Sequence, residues 1–357
     1  MKEFKSLLIT LLLTGFMTLI LLLILSKIFI PKYIDHEGNR MQFIIKGFYE
    51  EPKDSLEVVI TGNSDVYRGF SPMIMYDKYG ISSYNFVSAG QRSWTAYSML
   101  EEVFRLQSPK IVLFNTDELY SDNQSYSSNY IKVYNNMELA MPRLKGIFNK
   151  DYKKGISVKV THFIPIFAFH DRYKDLTSND FKYAFDSLVD YNNPTKGMDV
   201  VAVSNPYTGG EYMVETDKIF DMPDINKKYL DKMVELCKKN NTELILFEIP
   251  SPDSWNYEKH NALQKYADEH NLKFIDLNLE IDIDWDNDTV DGGDHLNLYG
   301  ASKVSNYMAD YLHENYDLKD IREDENYSIW KSQYEEYLNI IEYEKEYAIE
   351  YKKKKEK

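Results

Sequence analysis

The chain has 357 residues, 43% of them hydrophobic, which suits one large domain with insertions and appendages. A formal net charge of −15 argues against a protein that binds duplex nucleic acid, because neutralising phosphates requires a basic face. The only cysteine, Cys237, excludes an intrachain disulfide, and its place in an amphipathic segment predicts a buried, unreactive thiol.

The N-terminal segment predicts a membrane-spanning helix. Residues 6–26 carry no charge and are dominated by Leu and Ile, and 21 residues of helix span about 30 Å, one hydrocarbon thickness. The run is too long for the apolar core of a signal peptide, and no small-residue cleavage site follows it. We therefore expect residues 1–30 to be an uncleaved signal-anchor, with the body of a bacterial single-pass protein outside the cytoplasm. A cleaved signal peptide is the alternative and would leave the same body outside.

Strands and helices alternate through most of the remaining chain, after a polar stretch at residues 31–54 that reads as a stalk. The predicted strands are residues 56–62, 82–88, 110–116, 243–249 and 273–277, and the predicted helices are 94–106, 226–240, 257–270 and 301–315. This alternation predicts an α/β fold with three layers, in which helices cover both faces of a parallel sheet. We assign residues 55–119 and 225–318 to that domain.

Two segments depart from the alternation. Residues 120–224 have weak periodicity and are rich in Tyr, Asn, Asp and Phe, so we expect an inserted lid or substrate-binding subdomain above the strand ends. Residues 319–357 are charged, with apolar residues recurring at a spacing of three or four. That spacing predicts a helix that packs on the domain or on a partner, followed by a solvated tail.

A serine follows the first predicted strand. The block Gly62-Asn63-Ser64-Asp65 ends the strand, and its glycine, asparagine and aspartate favour a sharp turn. Ser64 would then stand at the carboxyl edge of the sheet, where open α/β sheets bind ligands. Capping of the next helix is the alternative role for this serine.

A histidine flanked by aspartates lies late in the chain, in Asp291-Gly-Gly-Asp294-His295-Leu-Asn. A neutral imidazole can take the proton of a serine when a carboxylate holds its other nitrogen. A metal site would require more His or Cys at short spacing, which the neighbouring sequence lacks, so we expect neither a metal nor another cofactor. Asp291 and Asp294 both remain candidates for the carboxylate.

Together these blocks resemble the SGNH/GDSL esterase superfamily over roughly residues 56–118 and 242–315. The resemblance implies a nucleophile at Ser64, a base at His295, and an oxyanion hole formed by Ser64, Gly90 and Asn115. This chain departs from the family pattern at two positions. Asn63 replaces the aspartate of the Gly-Asp-Ser form, and Gly292 occupies the position of the aspartate three residues before the histidine. We favour Asp291 over Asp294, reached through a Gly292-Gly293 bulge.

The anchored layout is similar to the branch that contains the teichoic-acid D-alanine-transfer protein and the alginate-type O-acetyltransferases. That resemblance implies a membrane-bound O-acyltransferase as partner and a cell-envelope polysaccharide as substrate. It also implies a substrate or anion contact at Arg172, for which a surface salt bridge is the alternative. Gln91 and Asp117 are weaker candidates for substrate contacts.

Two hypotheses follow. In the first, the protein is a serine acyl-ester enzyme that transfers an acyl group, such as acetyl, to a polysaccharide or removes it; the sequence leaves transfer and hydrolysis open. In the second, the site is degenerate and the domain only binds a glycan or docks a partner. The position of His295 relative to Ser64 and to the aspartates distinguishes the two.

Overall fold

A computed structural model describes residues 2–31, 40–121, 128–184 and 191–355. Five parallel strands form one sheet in the order β2-β1-β3-β4-β5. The strands are β1 Val58–Thr61, β2 Ser83–Asn85, β3 Ile111–Asn115, β4 Glu243–Glu248 and β5 Lys273–Asp276. The predicted parallel α/β sheet is therefore confirmed, in the flavodoxin-like order.

Helices flank the sheet and extend from both ends of the chain. In chain order they are α1 Lys2–Phe29, α2 Arg40–Glu50, α3 Ser64–Gly69, α4 Pro72–Tyr79, α5 Ser93–Leu106, α6 Ser128–Asn136, α7 Met141–Ile147, α8 Ile156–Thr161, α9 Ile166–Phe169, α10 Ser178–Lys182, α11 Asp224–Lys239, α12 Tyr257–His270, α13 Leu277–Glu280, α14 Leu298–Asn315 and α15 Ser328–Lys355. Short 3₁₀ turns lie at Asp117–Tyr120, His170–Lys174 and Glu325–Tyr327.

Alternation along the buried strands produces the three layers. Val59 packs in a cluster with side chains of α5 and α11, whereas Val58 and Ile60 pack in a second cluster with side chains of α4 and α14. Successive side chains of a strand point to opposite faces, so a continuous β-branched run is apolar on both. This pattern explains why short, wholly apolar segments of the sequence become interior strands.

The strand order opens a crevice at the carboxyl edge of the sheet. The chain leaves β1 for β2 on one side and later returns to β3 on the other side. The loops that follow β1 and β3 therefore diverge, which is where sheets of this kind bind ligands. Ser64 directly follows β1, and Asn115 is the last residue of β3.

Helix α2 differs from the stalk predicted for residues 31–54. Ile45 and Phe48 are buried in the core, and the Phe48 ring stacks on Phe86 with centroids 4.1 Å apart. The Tyr84 hydroxyl donates a hydrogen bond of 2.8 Å to the carbonyl of Ile44. An amphipathic face of a few apolar residues is enough to dock this helix, whereas residues 32–39 lie outside the described part of the chain.

The segment predicted as an insertion contains short helices and a long coil. Helices α6 to α10 lie in its first part, and residues 194–223 then run without helix or strand. This coil lies beside the histidine block. The Leu298 N–H donates a 2.8 Å hydrogen bond to the Val201 carbonyl, and the Asn205 N–H donates a 2.9 Å bond to the Thr289 carbonyl. The last part of the insertion therefore packs against the segment that contains His295.

The terminal helices differ in their surroundings. Within residues 3–29 of α1, an 18-residue window has a mean hydropathy of 2.8 and none of that window is buried. The helix is long and apolar enough to span a membrane, as a signal sequence would also be. In α15, Trp330 and Tyr337 are buried, and the Trp330 ring lies 5.4 Å from that of Tyr76 on α4. The C-terminal segment thus forms a helix that packs on the domain.

Candidate active site

Ser64 is the first residue of α3 and lies at the carboxyl end of β1. Gly62 makes the turn with a φ of +152°, and a Cβ there would lie 2.8 Å from both Asn115 Cβ and Val66 Cγ2. Only glycine fits where the ends of β1 and β3 approach so closely. Asn63 caps α3, because its side-chain oxygen accepts a 3.0 Å hydrogen bond from Asp65 N–H. The sequence prediction of a serine on a strand-to-helix turn matches this geometry.

The histidine block is held by hydrogen bonds around a double-glycine turn. Thr289 donates its hydroxyl to the His295 carbonyl at 3.0 Å and accepts a 2.9 Å bond from Gly293 N–H. Gly292 and Gly293 have φ values of +85° and +111°, which side chains other than glycine rarely adopt. From the loop after β4, Ser251 donates its hydroxyl to the Asp294 carbonyl at 2.9 Å. These bonds hold the backbone of the block around His295.

Asp291 holds the imidazole of His295. Its Oδ2 lies 2.6 Å from His295 Nδ1, and its Oδ1 accepts a 2.7 Å bond from the His295 backbone N–H. The carboxylate of Asp294 is farther away, with Oδ2 at 3.3 Å from Nδ1. A carboxylate on Nδ1 fixes the tautomer that leaves Nε2 as proton acceptor. Of the two candidate aspartates, Asp291 has the geometry of the orienting residue.

The other nitrogen of the ring faces the turn that contains the serine. Nε2 of His295 lies 3.8 Å from Oδ1 of Asp65, the residue next to Ser64. Within the described residues, the Ser64 hydroxyl makes no hydrogen bond, so direct contact between Ser64 and His295 stays a prediction. Catalytic hydrogen bonds are often long before substrate binds. The geometry brings the histidine block, which precedes α14, to the turn after β1 at the carboxyl edge of the sheet.

Charges around the ring alter its protonation. Burial disfavours the charged ring, but the hydrogen bond with Asp291 and the charges of Asp65 and Asp294 outweigh it and raise the pKa of His295 above 6.5. For Asp291, burial is likewise outweighed by its two hydrogen bonds with His295, so its pKa falls below the ordinary value. Asp291 therefore remains a carboxylate while His295 exchanges a proton.

Three carboxyl groups meet beside this pair at the ends of β1, β3 and β4. One oxygen from each of Asp65, Asp117 and Glu248 lies within 4.8 Å of the others. Burial, reinforced by mutual repulsion, raises the pKa of Asp65 and Glu248 well above their ordinary values. Burial also raises the pKa of Asp117, against the opposing charge of Lys259. Such a group retains its protons to a higher pH than isolated carboxyls do, unless a cation neutralises it.

Few side chains donate hydrogen bonds to these three carboxyl groups. Asn63 donates to Asp117 at 2.9 Å, and the Thr116 hydroxyl donates to Glu248 at 2.6 Å. Asp65 Oδ2 is buried without a hydrogen-bond partner in the described structure. The three carboxyls, or the surface set Asp291, Asp294 and His295, have donor spacing that would suit a metal ion. Either set could therefore hold one, but a serine mechanism does not require it.

The predicted oxyanion-hole residues occupy different environments. The backbone N–H of Ser64 begins a helix, so it has no acceptor within that helix. Gly90 lies in the turn after β2 with a φ of +53°, as expected for a backbone donor in a tight turn. The Asn115 amide is buried, with its nitrogen 3.5 Å from Glu248 Oε1. The Asn115 nitrogen is thus directed at Glu248, and the oxyanion-hole roles of Ser64 and Gly90 stay predictions.

The three weaker site candidates have structural contacts. Gln91 is buried, and its amide reaches Met99 Sδ on α5 at 3.3 Å. Asp117 belongs to the carboxyl group beside His295. Arg172 donates to the Phe29 carbonyl at 2.5 Å and pairs with Asp180 at 2.8 Å, which places it at the end of α1. Arg172 thus forms the salt bridge named as the alternative and joins the insertion to the N-terminal helix, whereas its substrate contact stays a prediction.

Two residues near the site escaped prediction. Asp65 adjoined the predicted nucleophile, but its role beside His295 depends on the orientation of α3. Glu248 lies in a strand that is otherwise apolar, and one ionisable residue in a buried strand is a usable signal, because an unpaired charge there is costly. Their proximity depends on strand order, which the linear sequence does not display.

Comparisons with known proteins add a limited result. No protein-family model and no curated protein matches the chain. Similar solved structures include a proposed acylhydrolase from Bacteroides fragilis, at 14% identity, and a GDSL-like lipase from Bacteroides thetaiotaomicron, at 12%. Each has a TM-score of 0.36 and aligns over 78% of this chain and 98% of its own. A gut microbial diltiazem-metabolizing enzyme matches at 12% identity and a TM-score of 0.19, over 62% of this chain and 42% of its own. These values are too low to assign a family or an activity.

Proposed function

We propose that the protein is a membrane-anchored, extracytoplasmic serine acyl-ester enzyme of the SGNH type. The observation that carries the proposal is the Asp291–His295 pair, whose Nε2 faces the turn between β1 and α3 at 3.8 Å from Asp65 Oδ1. A carboxylate, an imidazole and a serine at a strand end are the parts that acyl transfer requires. Their chain order also agrees with the SGNH pattern.

The reaction has two steps. In the first, Ser64 Oγ bonds to the acyl carbon while His295 takes the serine proton and passes it to the departing alcohol oxygen. In the second, a hydroxyl or water attacks the acyl carbon and gives its proton to His295, which passes a proton to Ser64 Oγ as the bond between Oγ and the acyl carbon breaks. The N–H groups of Ser64 and Gly90 hold the oxyanion, each worth about 3 kcal/mol where water is excluded.

The acceptor in this proposal is a cell-envelope polysaccharide. A groove of about 810 Å³ is lined by Val290, which precedes Asp291, by Arg68 on α3, and by Tyr343, Tyr347 and Tyr351 on α15. Tyrosine rings present a flat apolar face and a polar tip, which suits a sugar chain. With α1 as a single-pass anchor, a membrane-bound O-acyltransferase would be the source of the acyl group.

Replacement of Ser64 tests the proposal. We expect Ser64→Ala to abolish turnover of p-nitrophenyl acetate and labelling by a fluorophosphonate probe, because no other nucleophile is placed at the turn. Ser332→Ala is a matched control, since that hydroxyl is exposed and donates to the Ile329 carbonyl of its own helix. Thermal melting of both variants verifies that they fold.

The opposite result has a defined meaning. Wild-type labelling in a folded Ser64→Ala variant would remove Ser64 as nucleophile. The alternative function, a glycan-binding or partner-docking domain with a degenerate site, would then gain support if the native protein bound cell-envelope polysaccharide without hydrolysing acyl esters.

A further inference from the structure

The insertion contacts the last turn of the apolar N-terminal helix. The hydroxyl of Ser26 on α1 accepts a 3.0 Å hydrogen bond from Ile166 N–H, the first residue of α9. Three residues later, the Phe29 carbonyl accepts a bond from Arg172. These two bonds fix the insertion beside the end of α1, where a spanning helix leaves the hydrocarbon core.

Apolar side chains on this part of the insertion are exposed. We name as the collar residues 141–182, which include α7 to α10. Phe148, Ile156 and Phe167 have exposed fractions of 54%, 70% and 48%. Further exposed members are Met141, Tyr173 and Phe181. A group of large apolar side chains on one exposed segment indicates an interaction site rather than the scattered exposure common on soluble surfaces.

The collar has a charge opposite to that of the chain. Residues 141–182 contain nine Lys and Arg residues and four Asp residues, a net charge of +5, whereas the whole chain carries −15. Lys150, Lys153 and Lys174 are exposed in the same segment as the apolar side chains. Segments that combine exposed aromatic and aliphatic residues with lysines bind at the surface of anionic bilayers.

We infer that the collar lies in the headgroup region of an anionic membrane. Its apolar side chains would enter the boundary between headgroups and acyl chains, and its lysines would neutralise lipid phosphates. Continuity with α1 and the local positive charge favour lipid over a protein partner as the occupant. The inference rests on the proposed anchoring by α1, and it does not depend on the chemistry of Ser64.

Spin labels on single cysteines test the inference in the full-length protein. Cys237 is buried, so it can be replaced in a Cys237→Ala background before Ile156→Cys, Phe167→Cys, Leu13→Cys and Val214→Cys are labelled separately. Leu13 lies in α1 and reports anchoring, whereas Val214 is 62% exposed outside the collar. The readout is collision with a water-soluble nickel complex, in nanodiscs that contain phosphatidylglycerol.

We expect collisions at Ile156 and Phe167 to be several-fold lower than at Val214. If Leu13 is protected but nickel reaches Ile156 and Phe167 as readily as Val214, the placement of the collar in the headgroup region is refuted. The anchoring by α1 would then remain supported. Exposure of Leu13 as well would instead remove the anchoring. Labels that are exposed in nanodiscs but protected in native membranes would assign the collar to a protein partner and refute the lipid inference.

Charge reversal supplies a second arm. Lys150→Glu with Lys153→Glu should raise nickel access at Phe167 in phosphatidylglycerol nanodiscs and change it little in phosphatidylcholine. Lys238→Glu with Lys239→Glu is the matched control, because these exposed lysines lie on α11. Equal effects of the two pairs would contradict a specific role for the collar charges.

Discussion

Replacement of Asp291 by asparagine is the most direct probe of the histidine. Asparagine keeps the size of the side chain and an oxygen for the His295 backbone N–H, but it removes the charge. Its amide can also donate to Nδ1, which would stabilise the tautomer with a proton on Nε2, where the base must accept one. We therefore expect Asp291→Asn to fold normally and to lose ester turnover.

The expected loss follows from the contacts of Nδ1. A hydrogen bond to a charged group contributes about 1.5–3 kcal/mol, and 1.36 kcal/mol is tenfold in rate, so charge loss alone predicts about a 10- to 150-fold decrease. A wrong tautomer raises the loss toward about 10⁴-fold. Because Asp294 Oδ2 lies 3.3 Å from Nδ1 and can replace part of the interaction, we expect about 10²–10³-fold.

The assay is kcat/KM for p-nitrophenyl acetate, with Asp294→Asn as the matched variant. Asp294 lacks the second bond to the His295 backbone, so Asp294→Asn should cost less than about tenfold. A larger loss for Asp294→Asn than for Asp291→Asn, with both variants folded, would refute the assignment of Asp291.

The same variant predicts a shift in pH dependence. The base works as the neutral ring, so activity should fall as pH decreases through the His295 pKa, which lies above 6.5. Loss of the Asp291 hydrogen bond and charge lowers that pKa, so the acid limb of residual activity should move to lower pH. An acid limb that moves to higher pH would contradict the charge arrangement around the ring.

Three other predictions concern the carboxyl edge. Gly62→Ala should lower the free energy of unfolding by about 1–3 kcal/mol, because its Cβ would lie 2.8 Å from two neighbours; in urea titrations Gly210→Ala, with nothing within 4 Å of its added Cβ, is the control. Burial raises the pKa of Glu248 well above its ordinary value of 4.5. Between the pKa of the unfolded chain and that of the folded chain, the folded chain holds a proton that the unfolded chain releases, so stability is lost as pH rises through this range. The melting temperature of Glu248→Gln should therefore fall less between about pH 5 and about pH 8 than that of the native chain, whereas exposed Glu335→Gln should follow the native chain. Chelation with EDTA should leave ester turnover unchanged, and a loss that a divalent ion restores would assign a metal to the carboxyl groups.

The sequence predicted the sheet because its strands are short apolar runs with clear ends. Glu243–Glu248 is stopped by Pro250, and Tyr257–His270 matches its predicted helix at both ends. Helix α2 was missed because its apolar face spans few residues within a polar stretch, so its stability depends on tertiary packing. The hydrophobic pattern of the sequence does not by itself predict such tertiary packing.

The candidate site was predictable to the extent that its residues share a local block. Asp291, Gly292 and His295 are close in sequence, so their geometry followed from turn chemistry. Asp65 and Asp117 follow β1 and β3, and Glu248 ends β4, so only the strand order brings the three together. The contact of Arg172 with α1 likewise joins segments 143 residues apart.

The coil at residues 194–223 has a consequence for redesign of the protein. Backbone bonds from Leu298 to Val201 and from Asn205 to Thr289, with a 3.0 Å bond from Gly292 N–H to the Asn205 carbonyl, join it to the loop that carries His295. Exchange of the whole insertion for a shorter loop would thus remove backbone bonds that hold the loop of His295. Single side-chain replacements that keep these backbone hydrogen bonds are the better route to a change in acceptor preference.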